Sequence, residues 1–192
     1  MKKTILAKTL AIAIGASFIG SLSFVPSAFA EMSVMVGGAA MLPSKNVVEN
    51  ASKAKNLTTL VAAVKAAGLV ETLMGPGPFT VFAPDNNAFA KLPKGTVETL
   101  LKPENKATLV AVLTYHVVAG KVTAADLVGM IKDGGGMASL KTVQGGTLIA
   151  KLHGKKVTLT DEKGGVVTVT QADVMQSNGV AHVINKVLLP AS

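Results

Sequence analysis

The chain has 192 residues, no cysteine and a formal net charge of +8 at pH 7. All 19 of its basic residues are lysine, and lysine lacks the planar guanidinium group that binds phosphate and guanine bidentately. Aromatic residues make up only 4% of the chain, which leaves few rings on which bases could stack. Nucleic-acid binding is therefore not expected, whereas weak attraction to anionic glycans or lipid headgroups stays open.

Residues 1–30 have the organisation of a secretory signal peptide. Lysines precede an uncharged apolar run over residues 10–25, and a small-residue Ala-Phe-Ala sequence ends at Ala30. That order is typical of a signal peptide cleaved after Ala30. A retained membrane anchor is the alternative, although the run is marginal for a span of about 20 residues. We expect export by a bacterium, either to the periplasm or to the cell surface and medium.

An exported domain without cysteine must be stabilised by its hydrophobic core, which a chain of this length can supply. No cysteine is available for a lipid anchor and no apolar tail follows Leu189, so we expect a released protein. Residues 31–43 show little periodicity and are predicted to form a flexible lead. One domain is predicted over residues 44–190.

The first half of this domain has mainly helical periodicity. Apolar residues recur at helical spacing over residues 47–54 and 57–67, and Gly68 ends the second helix. Residues 79–83 alternate like a strand. Asp85 then stands where it can cap a short helix.

Helical spacing returns after Pro103 and again after Thr123, where a capping-box pattern opens a helix. The period then changes to two, which predicts strands within residues 148–159 and 167–170. Residues 180–189 are apolar on both phases, as is typical of a central strand buried on both faces. Helices followed by antiparallel strands predict an α+β fold.

Three segments resemble the signature segments of one family, and they occur in that family's order: Thr80–Phe89 with the Lys91-Leu92-Pro93 that follows, Leu113–Val118, and Asn178–Pro190. The resemblance is to the fasciclin-like (beta-Ig-H3-type) domain family. It implies a wedge or sandwich of antiparallel strands with several helices packed around it, mainly from the N-terminal half. It also implies adhesion between cells, matrix or host and microbe, with no catalytic activity and no cofactor. Bacterial members of the family are commonly single-domain exported proteins.

Tyr115 and His116 are the candidate binding residues, because the resemblance places them in an adhesive segment of some animal members. His116 also follows Val112 at helical spacing, which favours a buried imidazole instead. His182 is expected to be a hydrogen-bonded core histidine, and His153 is expected to be solvated in a turn. Histidines so scattered, without H-x-x-x-H spacing and without cysteine, predict no metal site.

A second candidate surface consists of lysines in the strand region. If the strands pair as predicted, these lysines gather near one end of a pair of β-hairpins and contact acidic glycans or lipids. An ordinary solvated turn is the alternative. The residues are Lys151, Lys155, Lys156 and Lys163.

The leading functional interpretation is an adhesion or matrix-interaction module outside the cytoplasm that is not an enzyme. The chain has no G-x-S-x-G elbow, no H-E-x-x-H and no phosphate-binding loop. Its partner would be a cell-surface or matrix protein or glycan, or a second copy, with at most peripheral membrane contact and at most weak self-association. A periplasmic carrier enclosing a small apolar or glycan ligand is the alternative. A hydrolase would need a Ser or Thr within about 3 Å of a histidine.

Overall fold

A computed structural model describes residues 33–191 of the chain, so the predicted signal peptide lies outside the described residues. Within this range, none of the helices combines the length and the apolar character that a membrane span requires. The strands are β1 (Val34–Val36), β2 (Ala39–Met41), β3 (Phe79–Pro84), β4 (Val117–Ala119), β5 (Met137–Lys141), β6 (Thr147–His153), β7 (Lys156–Thr160), β8 (Val166–Gln176) and β9 (Gly179–Ile184). The helices are α1 (Val47–Ala51), α2 (Thr58–Ala67), α3 (Val70–Met74), α4 (Asn86–Ala90), α5 (Thr96–Leu100), α6 (Lys106–Tyr115) and α7 (Ala124–Asp133), with a 3-10 turn at Pro103–Asn105.

The main sheet has the strand order β4-β3-β9-β8-β7-β6-β5, which confirms the α+β class and the central position of β9. The family resemblance implied antiparallel strands throughout, and this is wrong for one pair. β3 and β9 pair in parallel, with Phe79 opposite Gly179, while the other neighbours pair antiparallel. The two strands are far apart in the sequence, so no local turn fixes their relative direction.

Strand β8 joins two parts of this sheet. Its first residues, from Val166 to Thr168, pair with β7, and the remainder pairs with β9. The register with β9 shifts between Val169 and Gln171 and again between Gln171 and Val174. Bulges of this kind bend a strand, so β8 can take part in both halves of the sheet.

Side chains of β9 alternate between two apolar clusters. Val183 packs with the helix side chains of α1, α2 and α6, whereas Ile184 packs with Leu148 and Leu159 from the outer strands. After the strand, Val187 and Leu188 continue the same alternation. The predicted two-sided burial of this segment is therefore confirmed.

The segment predicted to be a flexible lead forms a β-hairpin instead. Strands β1 and β2 are joined by Gly37 and Gly38, which have φ of 56° and 80°, as a two-residue type I′ turn requires. Val36 and Met41 are each only 2% exposed. The paired glycines were a hairpin signal that the prediction treated as flexibility, and the packed domain begins before residue 44.

Gly179 provides a direct test of the central strand. A Cβ atom at this position would lie 1.9 Å from the carbonyl oxygen of Phe79, which is backbone in the middle of the sheet and cannot move aside cheaply. We expect Gly179→Ala to lower the free energy of unfolding by about 3 kcal/mol, measured by urea denaturation.

Gly129 in α7 is the matched control, because a Cβ there meets nothing within 4 Å. We expect Gly129→Ala to change the unfolding free energy by no more than about 1 kcal/mol, and in the stabilising direction. Equal urea midpoints for Gly179→Ala and wild type would contradict the described packing of β9.

Candidate functional site

Tyr115 and His116 stand at the C-terminal end of α6, and the fold buries both. Tyr115 is 0% exposed and His116 is 2% exposed. The expectation that these residues contact a partner directly is therefore wrong for the folded domain. The helical phase of α6, which favoured a buried imidazole, was the better guide.

His116 connects α6 to the C-terminal segment (residues 186–191). Its Nε2 accepts a hydrogen bond of 2.9 Å from the backbone N–H of Leu188, so Nε2 carries no proton and Nδ1 is the donor to the Val112 carbonyl at 2.8 Å. Burial lowers the pKa of His116 to about 4, against the opposing effects of the Val112 hydrogen bond and the Asp161 charge. The imidazole is thus neutral at physiological pH, and both of its nitrogens are occupied by backbone groups.

The Tyr115 hydroxyl holds the neighbouring strands together. It donates to the carbonyl of Thr147 at 2.9 Å and accepts from the backbone N–H of Glu162 at 3.1 Å. Burial raises the pKa of this phenol. The single proton of the hydroxyl and one of its acceptor positions are thus engaged by backbone groups.

Two acidic residues complete the attachment of the C-terminal segment. Asp161 accepts from the backbone N–H of Leu189 at 3.1 Å, and Glu162 accepts from that of Ala191 at 3.2 Å. Asp161 also accepts from Gly165 at 2.6 Å within its own turn, and it is 7% exposed. Neither acid was among the candidate site residues predicted from the sequence. The Asp-x-x-Gly-Gly spacing of a side-chain-closed turn was the signal that could have identified Asp161.

His182 is a core histidine, as predicted. Its Nε2 donates to the carbonyl of Val122 at 2.9 Å, and its Nδ1 accepts from the backbone N–H of Asp173 at 3.3 Å. Its ring stacks on Phe82 with a centroid distance of 5.6 Å, and burial lowers its pKa. Neither buried histidine can therefore serve as a general base for a hydroxyl nucleophile without first losing a backbone hydrogen bond.

The third histidine, His153, is exposed at the end of β6 opposite Lys156. Throughout residues 33–191, no group of three or more His, Cys, Asp or Glu side chains is arranged to hold a metal ion.

An apolar recess lies between the helices α1, α2 and α3 and the sheet. Its lining includes Val47, Leu60, Val64 and Leu113, and Lys65 contributes the only basic ammonium group of the lining. The cavity volume is ≈ 40 Å³, far below the roughly 300–1,000 Å³ of an ordinary ligand pocket. The recess is therefore too small, as it stands, for the ligand of a carrier protein.

A larger and more open groove of ≈ 630 Å³ runs beside the second half of β8. Lys121, Asp173, Met175 and Ser177 contribute to its lining. Asp173 has a positive φ of 55°, and its carboxylate accepts from the backbone N–H of Ala124 at the start of α7 at 2.7 Å. The charge of Asp173 is thus committed to holding α7 in place.

The predicted lysine cluster divides into two places. Lys151 lies on β6 opposite Thr158, Lys156 begins β7, and Lys155 stands in the turn between these strands. Lys163 instead follows the far end of β7, in the next turn. A five-residue strand is about 16 Å long, so the prediction that all four lysines gather at one end is wrong. We call Lys151, Lys155 and Lys156 the lysine turn.

Replacing Tyr115 with Phe separates a structural role from an adhesive one. The change leaves the Thr147 carbonyl and the Glu162 N–H without their partner, so we expect the unfolding free energy to fall by about 1–3 kcal/mol. Binding to cells at a temperature where the variant is folded should stay unchanged. Wild-type stability combined with lost binding would instead restore Tyr115 as a contact residue.

The neutral state of His116 makes folding stability depend on pH. Below pH 6.5 the unfolded chain takes up a proton at His116 that the folded chain excludes until the pH reaches about 4. The contribution of the imidazole is therefore complete above pH 6.5 and is lost as the pH falls toward 4, by about 3 kcal/mol in total.

His116→Gln removes this titration, so its unfolding free energy should fall less steeply than that of wild type across the same pH range in urea titrations. His182 titrates in both proteins and cancels from the comparison. Parallel pH profiles for the two proteins would show that His116 is not held neutral by the fold.

Comparison with known proteins agrees with this architecture. A model of the fasciclin domain matches residues 55–190. Protein sll1483 of Synechocystis sp. is 52% identical over 164 residues, which cover 83% of this chain and 82% of that protein. The transforming growth factor-beta-induced protein ig-h3 of Sus scrofa is 38% identical over 151 residues, which cover 78% of this chain but 20% of that larger protein.

A solved structure shares the fold. The FAS1 domain pair from the insect cell adhesion molecule fasciclin I superposes with a TM-score of 0.69 and 19% sequence identity, covering 77% of this chain and 52% of that chain. At this level of identity the likeness concerns the fold alone. The family model spans most of the chain, and a relative is 52% identical over more than four fifths of both proteins. The chain therefore belongs to the fasciclin family.

Proposed function

We propose that the chain is an adhesion or binding module that acts outside the cytoplasm and performs no chemistry. Membership of the fasciclin family associates it with adhesion and extracellular-matrix proteins. The observation that carries the proposal is that polar side chains of all three signature segments are engaged in hydrogen bonds inside the domain. The signature therefore maintains a scaffold, and recognition is left to exposed residues.

The engagement of the signature side chains extends beyond the histidines. Asp85 accepts from the backbone N–H of Ala88 at 2.7 Å and thereby caps α4. Asn178 accepts from the N–H of Val47 and donates to the carbonyl of Leu73 at 2.7 Å, so that it connects α1 and α3 to the start of β9. Such groups stabilise the native arrangement because their removal leaves buried backbone partners unsatisfied.

An adhesion module must bind more than one partner at the same time. A single domain joins two bodies only when it has two binding faces or associates with itself, and either arrangement raises the effective affinity. We accordingly infer a monomer or weak homo-oligomer whose partner is a cell-surface or matrix protein or glycan, or a second copy. Contact with a membrane would be peripheral, and the site of action would be the periplasm or the outside of the cell.

The direct test is binding of labelled protein, residues 31–192, to producer cells, host cells and isolated matrix. We expect saturable binding that unlabelled protein displaces and that a heat-denatured sample does not reproduce. Tyr115→Phe, tested while folded, should bind like wild type because that hydroxyl is buried.

If the protein bound none of these surfaces saturably, the adhesion proposal would be contradicted. The carrier function would then be favoured, with the open groove along β8 as its site. Native mass spectrometry of protein purified from its producer would detect a retained small molecule in that case.

A further inference from the structure

The lysine turn presents positive charge that the domain itself does not neutralise. Among the residues that the structure describes, ion pairs join Lys45 to Glu49 at 3.4 Å and Lys102 to Glu104 at 3.8 Å. Neither pair includes Lys151, Lys155 or Lys156. Residues 134–160 contain four lysines and no acidic residue. This part of the surface therefore carries an uncompensated positive potential, which attracts anions over about one Debye length.

Strand pairing brings these charges together on one face. Lys151 and His153 are two residues apart on β6 and so point to the same side of the sheet. Lys156 lies opposite His153, and Thr158 lies opposite Lys151. Diagonal neighbours across an antiparallel pair are about 7–8 Å apart at Cα, so the ammonium groups of Lys151 and Lys156 can engage the same chain of anions. Lys155 extends the positive surface into the turn.

The same outward face is rich in hydroxyl groups. Alternate residues of β6, β7 and β8 point inward and are buried, among them Ala150, Leu159 and Val167. The outward positions next to the lysine turn include Thr158 and, directly across from it on β8, Thr168. The Thr158 hydroxyl donates to the carbonyl of Lys151 at 3.3 Å and can still accept a hydrogen bond from a ligand hydroxyl.

The chemistry of the turn disfavours the other polyanionic partners. A membrane-docking turn usually adds apolar side chains that enter the headgroup region, whereas this turn contains His153, Gly154 and Lys155. A nucleic acid is usually bound with arginine forks and stacked aromatic rings, and this face contains neither. Positive charge beside hydroxyls, without Arg, Phe, Tyr or Trp on the face, matches a sulfated or carboxylated polysaccharide.

We propose that the lysine turn and the adjoining outward face of β6–β8 form a binding site for an acidic polysaccharide. The inference rests on the proposed adhesion function and names the partner class of its surface. Because binding relies on lysine charges and lacks aromatic stacking, it is strongly sensitive to salt. Lys163 takes no part in the site, since it lies at the opposite end of β7.

The experiment compares two triple variants that lose the same charge. The site variant is Lys151→Gln with Lys155→Gln and Lys156→Gln, and the control variant is Lys55→Gln with Lys94→Gln and Lys163→Gln. All six lysines are exposed, so both variants should unfold at the wild-type urea concentration. Binding to heparin, as the sulfated probe, and to polygalacturonate, as the carboxylated probe, is measured at several NaCl concentrations.

We expect the site variant to bind at least one of these polysaccharides about tenfold or more weakly than wild type, with the control variant much closer to wild type. The slope of log affinity against log salt should become shallower by about two in the site variant, since three lysine contacts are lost and each contact with a single-stranded polyanion releases about 0.7 counterion. Equal losses in both triple variants would show that net charge alone matters and would overturn the site. No binding of wild type to either polysaccharide would overturn it as well.

Two further binding measurements distinguish a polysaccharide from other polyanions. Vesicles of phosphatidylcholine with phosphatidylglycerol test a lipid surface, and a random-sequence DNA duplex tests a nucleic acid. Preference of wild type for either over both polysaccharides, lost in the site variant, would contradict the assignment to a glycan. If the site variant bound cells as wild type does, this inference would be contradicted but the adhesion function would stand. If wild type itself did not bind cells, the adhesion function would be contradicted.

Discussion

The architecture depends on the burial of β9 on both faces. All six of its residues are buried, and the strand connects β3, from the first signature segment, to β8, from the C-terminal half. Close approach of Gly179 to Phe79 and full satisfaction of the His182 ring make this position possible. An imidazole in such a place would destabilise the domain if it were charged or unpaired. Neutral histidine with two backbone partners is therefore a condition of the fold.

Buried ring stacking and hydrogen bonds to histidine also link the three signature segments to one another. Phe82 of the first stacks on His182 of the third, and His116 of the second accepts from Leu188 of the third. Acidic side chains hold the remainder of the C-terminal segment, so its irregular backbone has acceptors that no neighbouring strand supplies. Since these residues are occupied inside the domain, the exposed faces can differ between family members without loss of the scaffold. The recognition surface that we propose, the lysine turn, accordingly lies outside the signature segments.

Sequence patterns predicted features that depend on near neighbours in the chain. The alternation of Val183 and Ile184 between two clusters and the capping of α4 by Asp85 are of this kind. Features that depend on pairing between distant residues escaped prediction, including the parallel β3–β9 pair and the separation of Lys163 from the lysine turn. Burial of Asp161 likewise depends on the C-terminal segment returning to its turn. For the site, sequence identified the lysines as candidates, but only strand register shows which of them share a surface.

We propose that the signature segments build the scaffold while binding occurs at the lysine turn. Hydrogen–deuterium exchange of the wild-type domain, with and without a saturating acidic polysaccharide, tests this most directly. If binding occurs at the lysine turn, we expect added protection in peptides covering residues 149–158 and no change in peptides covering residues 113–118. Protection confined to residues 113–118, with none at the lysine turn, would contradict it.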